Sequence, residues 1–385
     1  MTLLLPLDAP TTGSSVLTVD EVTTIPAFLS LEKEWNALVR ATSDEPFYRH
    51  EHIRAWLDSF APQATLAVLT ARDAAGRLVA ALPLLAQRDF VCGFPARQLV
   101  SVANTHSCRS DLIAEEPESA GRAFLAHLLA RRGWDVLRLL DVPEGGNAWH
   151  IHRAAEAARL PVGAWESQRS PYLLFPASHD ELLAGKSPQF RANLRRRRRQ
   201  LERLGRVTFE RVTDRAGLAA HLEEIFALER SGWKGEQHTA IAQDPGTRAF
   251  YTRFAEEAAR RGYLSLFFMR VDGKPVAAHY GLTYDGIYSV PKLAYDESLQ
   301  GCSPGLVLVE EAIKDGIARG LRGYDFLGTE ARWKNDWSTG VRPHHWLFVF
   351  RDTAVGRALQ KAKFDWVPAA RRLLLGRKNH EPQES

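Results

Sequence analysis

From Gln300 to Gly305 the chain reads Gln-Gly-Cys-Ser-Pro-Gly, residue types suited to holding an anion. Ser303 is a good helix N-cap, and Pro304 suits the first helical position, where a missing N–H costs nothing. Gly305 has no side chain, so a ligand can approach the main chain there. At a helix start the N–H groups of Gly305, Leu306 and Val307 lack intrahelical partners, and with the helix dipole they make an anion site. The alternative is a capped helix with no ligand, because Ser-Pro-Gly opens many helices. Just upstream, Ile287–Ala294 (IYSVPKLA) is rich in β-formers yet contains Pro291. A proline inside a central strand removes a ladder donor, which predicts a bulge or a splayed strand. Splaying at Val290, Lys292 and Leu293 leaves main-chain groups to pair with a ligand, next to Gln300 and Gly301 on the following loop.

Two carboxylates follow. Tyr324–Gly328 (YDFLG) reads as a strand, so Asp325 and Glu330 lie on it or just past it, where ligands of open sheets collect. Both are candidate general bases, Glu330 ahead of Asp325, whose alternative is a structural ion pair. Glu229 and Glu236 flank Gly232–Glu236 (GWKGE), a predicted loop near the cleft. An acyl-cysteine at Cys302 would need a base, and no histidine partner is evident, so a passive small residue is the simpler reading. His150/His152 and His344/His345 have no further ligands at suitable spacing, so no metal is expected.

These residues need a scaffold, and the sequence supplies one twice. Asp73–Leu85 (DAAGRLVAALPLL) and Val271–Leu282 (VDGKPVAAHYGL) each read as strand, tight turn at Gly76 or Gly273, strand. A helix (Ser119–Arg132) and a strand (Trp134–Asp141) follow the first, and a helix (Pro304–Arg319) and the Tyr324 strand follow the second. Upstream, Phe47–Phe60 and Phe250–Arg261 both read as amphipathic helices opening on Phe-Tyr. The order recurs at an offset of roughly 190–200 residues, about one domain length. This predicts two copies of one α/β (α+β) fold with a cleft between them. We expect residues 1–18 to be a flexible N-terminus, 19–165 the first domain and 166–352 the second, with 353–385 a C-terminal helix and tail. The first copy has no glycine in Ala103–Asp111 (ANTHSCRSD), so the donor site is placed in the second and the first is expected to help form the acceptor side.

Ser187-Pro188 opens another helix, Gln189–Leu204, with an arginine run at Arg195–Arg199. Phe190, Leu194, Leu201 and Leu204 form its apolar stripe. Arg195, Arg196, Arg198 and Arg199 fall on a solvated face, whereas Arg197 falls inside the stripe. A buried arginine needs a partner, so Arg197 is expected to pair with a carboxylate of the sheet or with an anionic ligand.

Composition excludes several classes. The 385 residues are 45% hydrophobic and 25% charged, and Lys+Arg 50 against Asp+Glu 46 leaves +4, weak grounds for a nucleic-acid partner. Three scattered cysteines argue against a disulfide framework and for a reducing compartment. No stretch of about 18 apolar residues occurs, and the N-terminal apolar run is too short for a signal peptide, so a cytoplasmic location is expected.

Strand, Gln300-x-x-Ser303-x-Gly305, helix and strand together resemble motif A of the GNAT acyltransferases, usually Gln or Arg, two residues, Gly, one residue, then Gly or Ala. Ser303 replaces the first glycine. The stretch from GWKGE through FYTRFAEEAARRG, VDGKPVAAHYGL and LAYDESLQGCSPG to YDFLGTEARWKNDW resembles the CelD/BcsL-type acetyltransferases, a tandem-GNAT group similar to the Fem-type aminoacyl transferases. The resemblance covers Glu34 to Arg351, weakly in the first half. It implies two GNAT-like domains, each a mixed, mostly antiparallel sheet flanked by helices. It also implies acyl-CoA, first of all acetyl-CoA, as donor and an amine or hydroxyl of a glycan, cell-envelope or small molecule as acceptor. In Fem-type enzymes an aromatic-Lys pair after the donor helix contacts the reacting carbonyl. Trp333-Lys334 stands at that place, where the lysine would stabilise an oxyanion, or else be a surface lysine beside a core tryptophan. On the substrate side we place Trp233, Lys234, Glu236, Tyr295, Trp333 and Arg197. Two other readings stay open: a Fem-like transferase using charged tRNA, and a non-catalytic protein that holds an anionic partner on a decayed GNAT fold. No specific DNA binding is expected.

Overall fold

A computed structural model describes residues 17–43, 45–230 and 244–369. The first half runs β1 (Thr18–Val22), α1 (Ile25–Ser30), α2 (Glu32–Thr42), α3 (His50–Phe60), β2 (Thr65–Leu66), β3 (Val68–Arg72) and β4 (Leu78–Leu82). It continues with β5 (Leu84–Val91), β6 (Phe94–Ser101), β7 (Ile113–Ala114), α4 (Pro117–Ala130), β8 (Val136–Pro143), α5 (Trp149–Ala157) and β9 (Val162–Leu174). The second half runs α6 (His179–Ala184), α7 (Pro188–Glu202), β10 (Val207–Val212), α8 (Leu218–Arg230), α9 (Pro245–Arg260), β11 (Leu266–Val271) and β12 (Lys274–Tyr284). It ends with β13 (Ile287–Tyr295), α10 (Pro304–Ala318), β14 (Gly323–Asp325), α11 (Arg332–Asn335), β15 (Gly340–Phe350) and α12 (Ala354–Lys361).

The two halves are mixed α/β, mostly antiparallel, with matching parts: β1 with β10, α3 with α9, the β3–β4 hairpin with β11–β12, β6 with β13, α4 with α10 and β8 with β14. Local chemistry explains the hairpins. Asp272-Gly273 and Asp285-Gly286 both have positive φ, the conformation that two-residue turns between antiparallel strands require.

Each half lends its last strand to a shared centre. β9 pairs antiparallel with β14 of the second half and with β15, while β15 pairs antiparallel with β8 of the first. One sheet of eleven strands results, in the order β10-β11-β12-β13-β14-β9-β15-β8-β6-β5-β2, beside a sheet of four, β1-β3-β4-β7. β9 runs through the boundary expected at 165/166. The halves also share a core. Trp56 and Ile53 of α3 lie in one apolar cluster with Phe250 and Phe254 of α9. Each such side chain contributes roughly 1.5–3 kcal/mol on full burial, so the halves are held by apolar packing as well as by strand pairing.

The parallel pairs are where the halves differ. β13 pairs with β14 only from Ile287 to Ser289, then the strands diverge. Pro291 stands at a register shift of β12 against β13, between Tyr280 and Leu282, so bulge and splay occur together. β14 is shorter than the expected Tyr324–Gly328, because Leu327 (φ 51°) and Gly328 (φ 58°) turn left-handed and end it. In the first half β6 pairs with β8 over Gln98–Val100, and the gap beyond is stitched shut. Ser101 Oγ accepts from the Leu140 N–H at 3.2 Å, and Ser110 Oγ donates to Leu140 O.

Candidate active site

The open wedge between β13 and β14 leads to a pocket of about 260 Å³, lined by Leu293, Tyr295, Gln300, Ser303, Gly305, Leu306 and Trp333. Its position follows from strand alternation. Leu293 faces α10, where a Cβ added to Gly305 would lie 3.2 Å from its side chain. Gly305 therefore lets helix and strand close on one another, in addition to presenting main chain to the pocket.

Ser303 does not act as a side-chain cap. It is left-handed (φ 49°, ψ 59°), and its Oγ makes only a 3.5 Å contact with Gln300 O. That conformation is the reason a glycine suits the position. The anion site is also narrower than expected. Leu306 and Val307 N–H both reach back to Ser303 O, at 3.1 and 3.4 Å, and Val307 is fully buried in the core. The Gly305 N–H has no partner among the described residues. Val290 is buried in the same core. Arg197 reaches the Gln300–Gly305 loop, but its Nη1 donates to Gly301 O rather than to a carboxylate, and its buried Nε has no partner among the described residues. Arg198, expected on the solvated face, turns inward to Glu310 and Glu311. Leu204 is half exposed because α7 stops at Glu202 and the stripe stops with it.

The other face of β13 is polar. Lys292, expected with the donor, points away from the pocket: its Nζ lies 3.6 Å from the buried Glu229 and over the Tyr251 ring. His106 Nδ1 is 3.3 Å from the Tyr251 hydroxyl, and Gln168 donates to Cys108 O. Burial pushes the Cys108 thiol up to about 12, so it is not a ready nucleophile. His106 and Cys108 belong to Ala103–Asp111, the segment that closes the first wedge. The first half thus lines the far side of the second half's opening.

The expected bases fare differently. Asp325 is buried and held by Arg109 Nη2 at 2.8 Å and Arg342 Nη1 at 3.3 Å, and it also accepts from the Leu327 N–H at 2.9 Å. Burial would raise its pKa, but Arg109 and Arg342 outweigh that and hold the carboxyl below its ordinary value. Both oxygens are engaged, Oδ2 by the two arginines and Oδ1 by the main chain, the arrangement of a structural ion pair. Glu330 is exposed, bonded to Arg169 Nε at 2.8 Å and Asn335 at 3.3 Å, and does not line the pocket. Lys334 donates to Leu327 O at 2.6 Å and Thr329 O at 2.9 Å, fastening the left-handed turn after β14. Its ammonium is engaged with that turn, while its neighbour Trp333 forms the pocket wall and meets Phe326 edge-on. Trp233, Lys234 and Glu236 lie outside the described residues. Among the described residues no group of three or more His, Cys, Asp or Glu could hold a metal, and no helix is long and apolar enough to cross a membrane.

Sequence reasoning missed Arg109, whose other nitrogen pairs with Glu45. The available signal was the repeat itself, which aligns Ala103–Asp111 with the donor loop of the second half.

Residues 188–335, from α7 through α11, match the family model of the acetyltransferase (GNAT) domain. No curated protein sequence matches the chain. Among solved structures the fold is similar to FemX (11% identity, TM-score 0.56, 83% of this chain and 96% of that one). It is similar also to L-PGS from Bacillus licheniformis (12%, 0.52, 86% and 96%). A third is a conserved protein of unknown function from Bacteroides thetaiotaomicron (14%, 0.53, 87% and 100%). At these identities the likeness is one of fold.

Proposed function

We propose that the protein is an acyltransferase that moves an acyl group, first of all acetyl, from acyl-CoA to an amine or hydroxyl of a glycan, cell-envelope or small-molecule acceptor. The observation that carries this reading is the wedge. One strand, β13, presents an apolar pocket on one face and a polar cluster on the other, and loses its neighbour beyond Ser289. A thioester threaded through that gap has its carrier on the Gly305 side and its carbonyl beside unpaired strand edge.

The acceptor attacks from the side of Lys292, Glu229 and Tyr251. Its lone pair forms the new C–N or C–O bond, the carbonyl electrons move onto oxygen, and main-chain N–H groups of β13 stabilise that oxyanion. Collapse breaks the C–S bond. The acceptor's proton passes to Glu229, taking the role first considered for Glu330, and then to the departing thiolate. Arg109 holds Asp325 and with it the end of β14, so the first half positions the wedge without touching the donor.

Calorimetric titration with acetyl-CoA and longer acyl-CoAs tests the donor, followed by thiol release in the presence of amine and hydroxyl acceptors. Micromolar binding of one CoA ester with acceptor-dependent thiol release is the expected result. Failure of every CoA ester to bind would sink the reading.

A further inference from the structure

α7 divides its arginines. Arg197 and Arg198 turn inward, to Gly301 O and to Glu310 and Glu311. Arg195, Arg196, Arg199 and Arg203 are exposed, and none pairs with a carboxylate among the described residues; Arg196 bonds only Asn193. In a chain of net +4 this is a local concentration of charge. It is also an unfavourable one. Arg195 with Arg199, and Arg199 with Arg203, stand at i,i+4, where like charges repel. A bound anion would relieve that repulsion.

The surface there is grooved. One groove of about 440 Å³ runs between α7 and α11, walled by Asn193, Arg196, Arg332 and Asp336. A second of about 440 Å³ is walled by Arg195, Arg196, Arg199 and Arg203, and the two share Arg196. Arg332 directly precedes Trp333 of the donor pocket, so pocket and grooves follow one another along the molecule. Guanidinium forks match phosphate oxygens two at a time. Phe190 lines the first groove, but no aromatic side chain lines the second, so the four arginines there suit phosphates rather than base stacking.

We infer that α7 recognises the phosphate-bearing nucleotide end of the acyl donor, which leaves the pocket past Trp333 and lies along Arg332, Arg196 and Arg199. This rests on the donor reading above and adds the element that selects the carrier. Coenzyme A and the 3′ end of an aminoacylated RNA both offer such phosphates, and binding experiments separate them.

The wild-type protein and the Arg196→Ala/Arg199→Ala double variant are titrated with acetyl-CoA, 3′-dephospho-acetyl-CoA and a short RNA hairpin at two salt concentrations. Both positions are exposed, and a cooperative melting curve with a midpoint no lower than wild type verifies the variant's fold. We expect the wild type to favour acetyl-CoA over its dephospho form by about tenfold or more, as for loss of one charge-assisted contact. The double variant should lose both that preference and about as much affinity. Equal acetyl-CoA affinity in wild type and variant, without RNA binding, overturns the inference and leaves the acyl-CoA reading standing. If no CoA ester binds, the acyl-CoA reading fails. In that case salt-steep RNA binding that the double variant loses upholds the role of α7, and its absence overturns both.

Discussion

Arg109 Nη2 lies 2.8 Å from Asp325 Oδ2, and both side chains are buried. Arg109 comes from the segment that shuts the first half's wedge, and Asp325 ends the strand whose divergence opens the second. The bond therefore joins the closure of one half to the opening of the other.

Breaking it leaves buried charge only partly compensated. Arg109→Met leaves Arg342 alone to hold Asp325 and should cost about 3 kcal/mol. Adding Asp325→Asn should restore part of that loss, because the carboxylate goes with its partner. Urea unfolding of the two single variants and the double one measures this. A cost below about 1 kcal/mol for Arg109→Met would mean that the pair is not what fixes β14.

Acid should weaken the fold before the carboxylates titrate. Burial lowers His52 to about 4, and His279 and His344 to about 3. Each is neutral when folded, and the unfolded chain, titrating near pH 6.5, binds more protons below that value. Their contribution is thus complete above about pH 6.5 and is lost progressively as pH falls toward about 4 and then 3. The slope reaches at most about 1.4 kcal/mol per pH unit for each histidine. His52 sits among Phe47, Phe250 and Phe254, whose rings it meets edge-on. His52→Phe should flatten the stability profile between pH 6.5 and 4.5 in denaturant titrations. An unchanged slope would show that His52 already protonates in the folded state.

Ser303 holds a conformation that costs a side chain about 1–2 kcal/mol, and its hydroxyl recovers little through a 3.5 Å contact. Ser303→Gly should raise the melting temperature by a few degrees, the strain relieved exceeding the added freedom of the unfolded chain. Ser303→Val should lower it, since a β-branched residue fits that region worst. A glycine variant less stable than wild type would mean the hydroxyl has a partner that outweighs the strain.

What the sequence revealed was local. The turn at Gly273 and the bulge at Pro291 follow from chemistry within a few residues, and the loop from Gln300 to Gly305 does line a pocket. The same locality misled at Ser303. Ser187-Pro188 and Ser303-Pro304 look alike as helix starts, yet Ser187 is extended (φ −60°, ψ 150°) and caps Phe190 N–H, while Ser303 is left-handed and caps nothing. A single dipeptide cannot distinguish them, because the preceding turn at Glu297–Cys302 sets the angle of entry. The exchange of β9 and β15 was not legible, since it joins segments far apart that have no mutual pattern. Arg109 was hidden for the same reason, and Glu330 was overrated because nearness to a strand end says nothing about which way a side chain faces.

Glu229 is the last test, and the most direct one of the chemistry. It is buried at the end of α8 on the polar face of β13, 3.6 Å from Lys292 and across that strand from the donor pocket. A base there must take a proton from the acceptor without touching the donor. Glu229→Gln keeps the shape and removes the basicity, so kcat should fall by about 10²–10⁴ while acyl-CoA affinity holds. Lys334→Met separates the competing assignment. If Lys334 only fastens the turn at Leu327 and Thr329, that variant should lose stability and activity together; a folded, stable Lys334→Met enzyme with a large kcat loss would return the oxyanion role to the lysine. Near wild-type kcat in Glu229→Gln would remove Glu229 from the mechanism and leave a water-relayed proton as the remaining route.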